Sequence, residues 1–309
     1  MVVGESMRVA AIDCGTNSIR LLIADVSGSN FREVSRDMEI VRLGQGVDKT
    51  GQFEPDAISR TLLATKKFAE VIAAKGVERI RFCATSATRD ASNRHLFIDG
   101  VREILGIEPE VIPGTEEAAL SFMGATKELL PADGPFLVVD IGGGSTEFVL
   151  GTSGVESAKS VNIGCVRMSE RHLTHQPPSL EQLAAATIDI DEAIQDAGST
   201  VPFSQAQTLV AVAGTATTVA AAALNLATYD RYTIHLSHIA AAKVHEVAHM
   251  FQSMTREQIS ALGYMHPGRV DVITSGALVL SRVMKLTGAL EFVASESDIL
   301  DGMAWGLAI

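Results

Sequence analysis

Two copies of one short phrase hold the residues best suited to phosphate chemistry. Asp13-Cys14-Gly15-Thr16-Asn17-Ser18 and Asp140-Ile141-Gly142-Gly143-Gly144-Ser145 both fit Asp-x-Gly-x-x-Ser. Each follows an apolar run, residues 9–12 and 136–139, and each leads into a second strand-like run, residues 19–23 and 147–150. The pattern reads as a β-hairpin whose turn carries an acid, glycines and hydroxyls. Gly142, Gly143 and Gly144 offer backbone N–H groups without side-chain obstruction, an anion-binding nest. Ser145 and Thr146 add hydroxyl donors, and the Asp140 and Glu147 carboxylates suit a hard divalent cation. The competing reading is a glycine-rich hairpin that serves only geometry. The flanking acids and the earlier copy weigh against it. The dinucleotide fingerprint does not fit, since Glu147 stands at its third glycine and a strand follows instead of a helix. No Walker A lysine follows a glycine-rich loop either.

Other stretches are more ambiguous by themselves. Thr85-Ser86-Ala87-Thr88-Arg89 follows a strand, where hydroxyls and an arginine suit phosphate, but a capped helix start explains them equally. Ala213-Gly214-Thr215 has the same two readings. In Pro113-Gly114-Thr115-Glu116-Glu117, Thr115 reads as an N-cap and the two acids as first-turn carboxylates favoured by the dipole. One of them could instead act as a general base. His245-Glu246-Val247-Ala248-His249 matches the zinc-peptidase pattern on a helix. No third ligand is selected by the sequence, so a polar helix face is the preferred reading.

The 309 residues suggest two domains, and 47% hydrophobic with 20% charged residues fits a globular protein. No apolar run approaches the roughly 20 residues of a membrane span. Met1–Arg8 shows no basic region before an apolar core, so no secretory signal is expected. Cys14, Cys83 and Cys165 are scattered and odd in number, against a disulfide framework and in keeping with a cytoplasmic location. The net charge of −12 disfavours nonspecific nucleic-acid binding. A polyanionic substrate then needs a local arginine cluster.

Those motifs need elements to position them. Strands are expected at 8–12, 18–26, 32–42, 79–84 and 110–112, with helices at 55–74 and 94–105. The second cycle places strands from 136 to about 162, at 209–213 and at 291–294, and helices at 166–173, 180–196, 217–226, 238–252, 270–286 and 297–307. Three strands followed by alternating helices and strands, begun twice, read as duplicated α/β domains. Pro131-Ala132-Asp133-Gly134-Pro135 is the best boundary.

Taken together, these blocks resemble the exopolyphosphatase / guanosine pentaphosphate phosphohydrolase family of the actin, sugar kinase and Hsp70 superfold, nearly end to end. Asp13-x-Gly15-Thr16-Asn17-Ser18-x-Arg20 is similar to its first phosphate loop and residues 85–89 to its second. Pro113-Gly114-Thr115-Glu116-Glu117-Ala118 resembles the segment with the catalytic glutamate, which aligns with Glu117. Residues 139–147 carry the most specific signature, and Ala213-Gly214-Thr215 and Gly268-Arg269-Val270-Asp271-Val272-Ile273 fill two further blocks. Two departures stand out: Gly268 replaces the usual acid before the late arginine, and the usual Arg-Glu-Gly reads Leu300-Asp301-Gly302.

The resemblance implies an α/β fold of two ribonuclease H-like (actin-like ATPase) domains with a cleft between them, residues 1–130 plus 296–309 and residues 131–295. It implies an exopolyphosphatase acting on inorganic polyphosphate, with Glu117 as general base. Phosphate binding would fall to Gly15, Thr16, Asn17, Ser18, Arg20, Ser86, Arg89, Gly142, Gly143, Gly144, Ser145, Thr146, Gly214, Thr215 and Arg269. Asp140 and Glu147 would hold Mg²⁺, and a homodimer is expected, with neither nucleic acid nor membrane as partner. Hydrolysis of guanosine pentaphosphate is the nearest alternative. A kinase of the same superfold lacks a sugar-binding signature here, and a non-catalytic nucleotide binder would tolerate loss of Glu117.

Overall fold

The computed structural model describes residues 6–28 and 30–307. Met1–Glu5, Ser29, Ala308 and Ile309 lie outside the described residues, and with them most of the N-terminal stretch read for a secretory signal. The chain divides into unit 1, Met1–Gly124 with Ile299–Ile309, and unit 2, Ala125–Asp298.

Unit 1 runs β1 Met7–Cys14, β2 Ser18–Ser27, β3 Asn30–Ile40, α1 Val47–Thr50, α2 Pro55–Lys75, β4 Arg79–Ala84, α3 Ser86–Asp90, α4 His95–Leu105, β5 Glu110–Val111 and α5 Gly114–Thr126. Its sheet has the order β3-β2-β1-β4-β5. The first three strands are antiparallel, and β4 and β5 run parallel to β1. Pro55 opens α2 at its first position, and Gly76, in the left-handed region, closes it. The first division of the chain falls in the last turn of α5, not in the 131–135 connector. The chain leaves unit 1 on a continuous helix, and Pro131–Asp133 forms only a short turn before the next strand.

Unit 2 repeats the order with additions. It runs β6 Phe136–Ile141, β7 Thr146–Gly151, β8 Val155–Val161, α6 Cys165–Arg171, α7 Leu180–Thr200, β9 Thr208–Val212, α8 Ala213–Ala223, α9 Arg231–Ile234, β10 His238–Ala240, α10 Ala241–Ser253, α11 Arg256–Ser260, α12 Ile273–Thr287 and β11 Glu291–Ala294. The sheet order is β10-β11-β9-β6-β7-β8. Leaving out the edge strand β10, this is the unit 1 order, with β6, β7, β8, β9 and β11 in the places of β1 to β5. Both sheets have the ribonuclease H-like arrangement. Residues 238–240, expected as a helix start, pair with β11 instead, because the neighbouring edge offers unpaired backbone groups.

Strand alternation sorts the unit 1 core into two layers. Ala10, Ile12, Ile19, Leu21 and Ile23 face the cluster built with Phe68, Phe82 and Phe97. Val9, Ala11, Leu22, Ala24 and Val26 face the last helix, α13 Ile299–Gly306, through Ile299, Leu300, Met303 and Ala304. A Cβ at Gly302 would lie 2.0 Å from the Leu120 carbonyl oxygen, so glycine is what lets α13 approach α5. In unit 2, Leu137, Val139, Ile141, Phe148 and Leu150 join one large cluster with α7, α8, α10 and α12. Truncating a fully buried phenylalanine such as Phe148 or Phe82 costs roughly 3–5 kcal/mol.

Candidate active site

In each unit the chemical residues sit where parallel strands end, the usual ligand edge of an α/β sheet. Cys14 pairs with Ala84, and Ala84 with Val111, so β1, β4 and β5 end level. The Asp13 turn, the Thr85–Arg89 loop and the Pro113–Glu117 loop therefore share one edge of unit 1. In unit 2, Asp140 pairs with Val212 and Ala211 with Ala294, which levels the Asp140 turn, the Gly214 loop and the Ser295–Ser297 loop.

The two hairpin turns close alike. Gly15 N donates to Ser18 O at 3.0 Å, and Gly142 N to Ser145 O at 3.0 Å. What each turn offers differs. In unit 2, the α6 amides of Cys165 and Val166 donate to the carbonyls of Gly142 and Gly143 at 2.9 and 2.8 Å. Arg167 Nε donates to the Gly144 carbonyl at 2.7 Å. These bonds fix the turn's carbonyls against α6, and the Gly143 and Gly144 amides make no hydrogen bond among the described residues. Such N–H groups suit an anion. A Cβ at Gly164 would lie 2.3 Å from the Gly143 backbone, so this packing requires glycine there. No local pattern in the sequence marks Arg167; its place, two residues into the helix that caps the glycine turn, shows only in the fold.

The acid at each strand end also has a cross-strand partner. Asp13 stands opposite Arg20, and Asp140 opposite Glu147. Arg20 bonds Asp13 through Nη2 at 2.6 Å and Nε at 3.0 Å. The expected phosphate clamp of unit 1 thus neutralises a buried carboxylate. Unit 2 has two carboxylates in the same positions, Asp140 at 7% and Glu147 at 0% exposure. Directly opposed strand residues have Cβ atoms about 4.5–5.5 Å apart. Two buried acids so close favour a cation between them. Among the described residues no group of three or more His, Cys, Asp or Glu is placed to hold a metal ion. Asp140 and Glu147 are the residues that could hold a divalent cation, since a hard cation can be bound by one or two carboxylates with water completing its shell.

Glu117 lies in the first turn of α5 and is 9% exposed. Thr115, expected as the N-cap, lies inside this helix, and Pro113 O accepts the first-turn amides of Glu116 and Glu117. Arg89 Nη1 donates to Glu117 Oε2 at 2.7 Å and to Ile112 O at 2.9 Å. The expected base is therefore oriented by the expected second phosphate arginine. Glu116 is engaged elsewhere, accepting from Arg81. Ser86 opens the short helix α3 and is buried. The Thr16 hydroxyl is buried without a hydrogen-bond partner among the described residues. The Asn17 carbonyl is taken by Val41 N and Arg42 N, which anchors this turn to the chain after β3.

In unit 2, Arg269 Nη1 donates to Gly214 O at 3.1 Å and to Thr218 Oγ1 at 3.0 Å. A Cβ at Gly214 would meet the guanidinium at 2.3 Å, so glycine lets Arg269 lie over the start of α8. Ala213 before it adopts a left-handed φ of 65°, a strained turn that aims this helix start. Thr215 is buried beside Gly276. His266 Nδ1 accepts from Gly268 N and holds the turn that presents Arg269. Burial, and then the Arg269 charge, push the His266 pKa down. Burial likewise raises the Glu296 carboxyl, against the lowering effect of a bond from the Tyr229 hydroxyl. His245 and His249 face outward on α10, with His245 Nδ1 against Ser281 Oγ at 2.8 Å. They form a polar face.

Duplicated ribonuclease H-like units, each with an acid–glycine–hydroxyl hairpin at the parallel strand ends, define a protein of the actin-like superfold. The chain belongs to the Ppx/GppA phosphatase family, whose sequence profile matches residues 22–303. It is 48% identical to exopolyphosphatase 2 of Mycobacterium tuberculosis, over 97% of this chain and 98% of the relative. A crystal structure described as an exopolyphosphatase-like protein superposes with a TM-score of 0.95 at 46% identity, covering 98% of each chain. The PPX-GPPA enzyme of Aquifex aeolicus gives 0.82 at 28% identity, over 98% of this chain and 100% of that one.

Proposed function

We propose that this protein is an exopolyphosphatase, which hydrolyses the terminal phosphoanhydride of inorganic polyphosphate and releases orthophosphate. The observation that carries the reading is Glu117: a buried carboxylate at a ligand edge, fixed by Arg89, in a chain that aligns end to end with a protein named exopolyphosphatase. A held carboxylate suits water activation, which a pure binder has no use for.

In this reading the loops at the strand ends of each unit carry the chemistry. Glu117 takes the proton from a water as its oxygen bonds to the terminal phosphorus. The anhydride P–O bond then breaks, leaving orthophosphate and a chain shorter by one phosphate. The amides of Gly143 and Gly144 and the hydroxyls of Ser145 and Thr16 bind phosphoryl oxygens. Arg269, and Arg89 while it holds Glu117, offset the charge; positioning and electrostatics dominate such transfers. Asp140 and Glu147 would hold Mg²⁺, which supplies charge neutralisation at the anhydride. A homodimer and a cytoplasmic setting come with the family resemblance as parts of the same proposal.

The test is phosphate release from polyphosphate of defined lengths beside release from guanosine pentaphosphate. The reading predicts a higher kcat/KM on polyphosphate. A clear preference for the nucleotide overturns it.

A further inference from the structure

The β6–β7–β8 register puts Asp140 opposite Glu147 and Glu147 opposite Ser160. Directly paired residues project to the same face of a sheet, so the three side chains form one row. Ser160 Oγ donates to Glu147 Oε1 at 2.7 Å. Glu147 itself is 0% exposed, so water does not set the orientation of its carboxylate. Val161, the next residue, turns to the opposite face and joins the unit 2 core, which fixes the rotation of β8 at this point.

Unit 1 serves as an internal control. Its corresponding row is Asp13, Arg20 and Met38. There the middle side chain is a cation bonded to the acid, and the third position carries no hydroxyl. The hydroxyl occurs in the row whose middle residue is an acid. The Ser160–Glu147 bond is therefore tied to carboxylate chemistry and is not a general requirement of the hairpin.

We infer that Ser160 is a positioning residue: its hydroxyl holds the Glu147 carboxylate in the orientation that binds the divalent cation beside Asp140. The inference rests on the reading of Asp140 and Glu147 as a cation site. Ser160 acts through Glu147, in the manner of hydrogen-bonded partners that orient metal ligands, whose loss typically weakens metal affinity about 10–100-fold. Its position on the outer strand of the sheet makes substitution structurally mild, and threonine, which suits strands, keeps the hydroxyl.

The experiment is Mn²⁺ titration of the full chain with saturating inorganic phosphate, reading free Mn²⁺ by electron paramagnetic resonance, with thermal melts to confirm folding. Ser160→Ala should weaken Mn²⁺ binding about 10–100-fold, Ser160→Thr should restore it, and Glu147→Gln should weaken it at least as much as Ser160→Ala. Wild-type affinity in Ser160→Ala, with Glu147→Gln impaired, overturns the positioning role and leaves the cation site standing. Equal affinity in wild type and Glu147→Gln overturns both.

Discussion

Asp140 faces Glu147 across the β6–β7 hairpin at the two positions where unit 1 has Asp13 facing Arg20. One architecture thus carries a closed ion pair in one unit and two acids in the other. The duplication kept the hairpin, including the glycine-to-serine turn bond, and changed the sign of a single charge. Unit 1 places the Arg20 guanidinium where unit 2 places the Glu147 carboxylate.

This difference predicts unlike responses to mutation. Arg20→Ala leaves the Asp13 carboxylate buried without its partner. Removing one member of a fully buried pair costs roughly 3–5 kcal/mol. Arg20 is 20% exposed, so the loss here should be about 2–3 kcal/mol, read by urea denaturation. Adding Asp13→Asn to Arg20→Ala should recover much of it. Asp140→Asn, by contrast, should raise the Mg²⁺ concentration needed for half-maximal phosphate release, read by orthophosphate release across an Mg²⁺ titration.

Two glycines separate scaffold from chemistry. At Gly164 a Cβ would meet backbone atoms of Gly143 and Gly144, which cannot yield without opening the turn. Gly164→Ala should lower both stability and activity. At Gly214 the clash is with the Arg269 guanidinium, the far end of a flexible side chain. Gly214→Ala should keep the melting temperature close to wild type and still cost roughly 10-fold or more in kcat/KM, since Arg269 loses its place. Equal effects of the two substitutions on melting temperature would contradict this division.

The pH dependence of stability should carry the mark of Glu296. Burial raises its carboxyl above the usual 4.5, despite the Tyr229 bond. An acid whose folded pKa is raised is protonated in both states at low pH and penalises the folded state once it ionises. Wild type should therefore lose stability relative to Glu296→Gln as pH rises from 4.5 through the raised folded value. Melting curves of the two proteins should converge below pH 4.5, with the variant higher at neutral pH.

The hairpins, the alternation of helices and strands and the family membership were legible because each rests on local pattern. Asp-x-Gly-x-x-Ser is read within six residues, and the closing glycines at 76 and 106 mark the ends of α2 and α4. The Asp13–Arg20 pair was half visible, since Arg20 and Glu147 stand at equal distances from the two aspartates; its meaning needed the register. Arg89 on Glu117, Arg167 on Gly144 and Ser160 on Glu147 join residues far apart along the chain, and no local pattern announces them. Residues 238–240 carry no strand signal of their own, because three residues are too few to show a period of two.

The assignment of Glu117 as the base is tested most directly by the rate of orthophosphate release from linear polyphosphate under saturating substrate and Mg²⁺. Glu117→Gln keeps the size of the side chain and an acceptor for Arg89, but cannot take a proton from water. Its kcat should fall by about 10²–10⁴-fold, with polyphosphate binding retained in a direct binding assay. Release by Glu117→Gln at the wild-type rate would contradict the account.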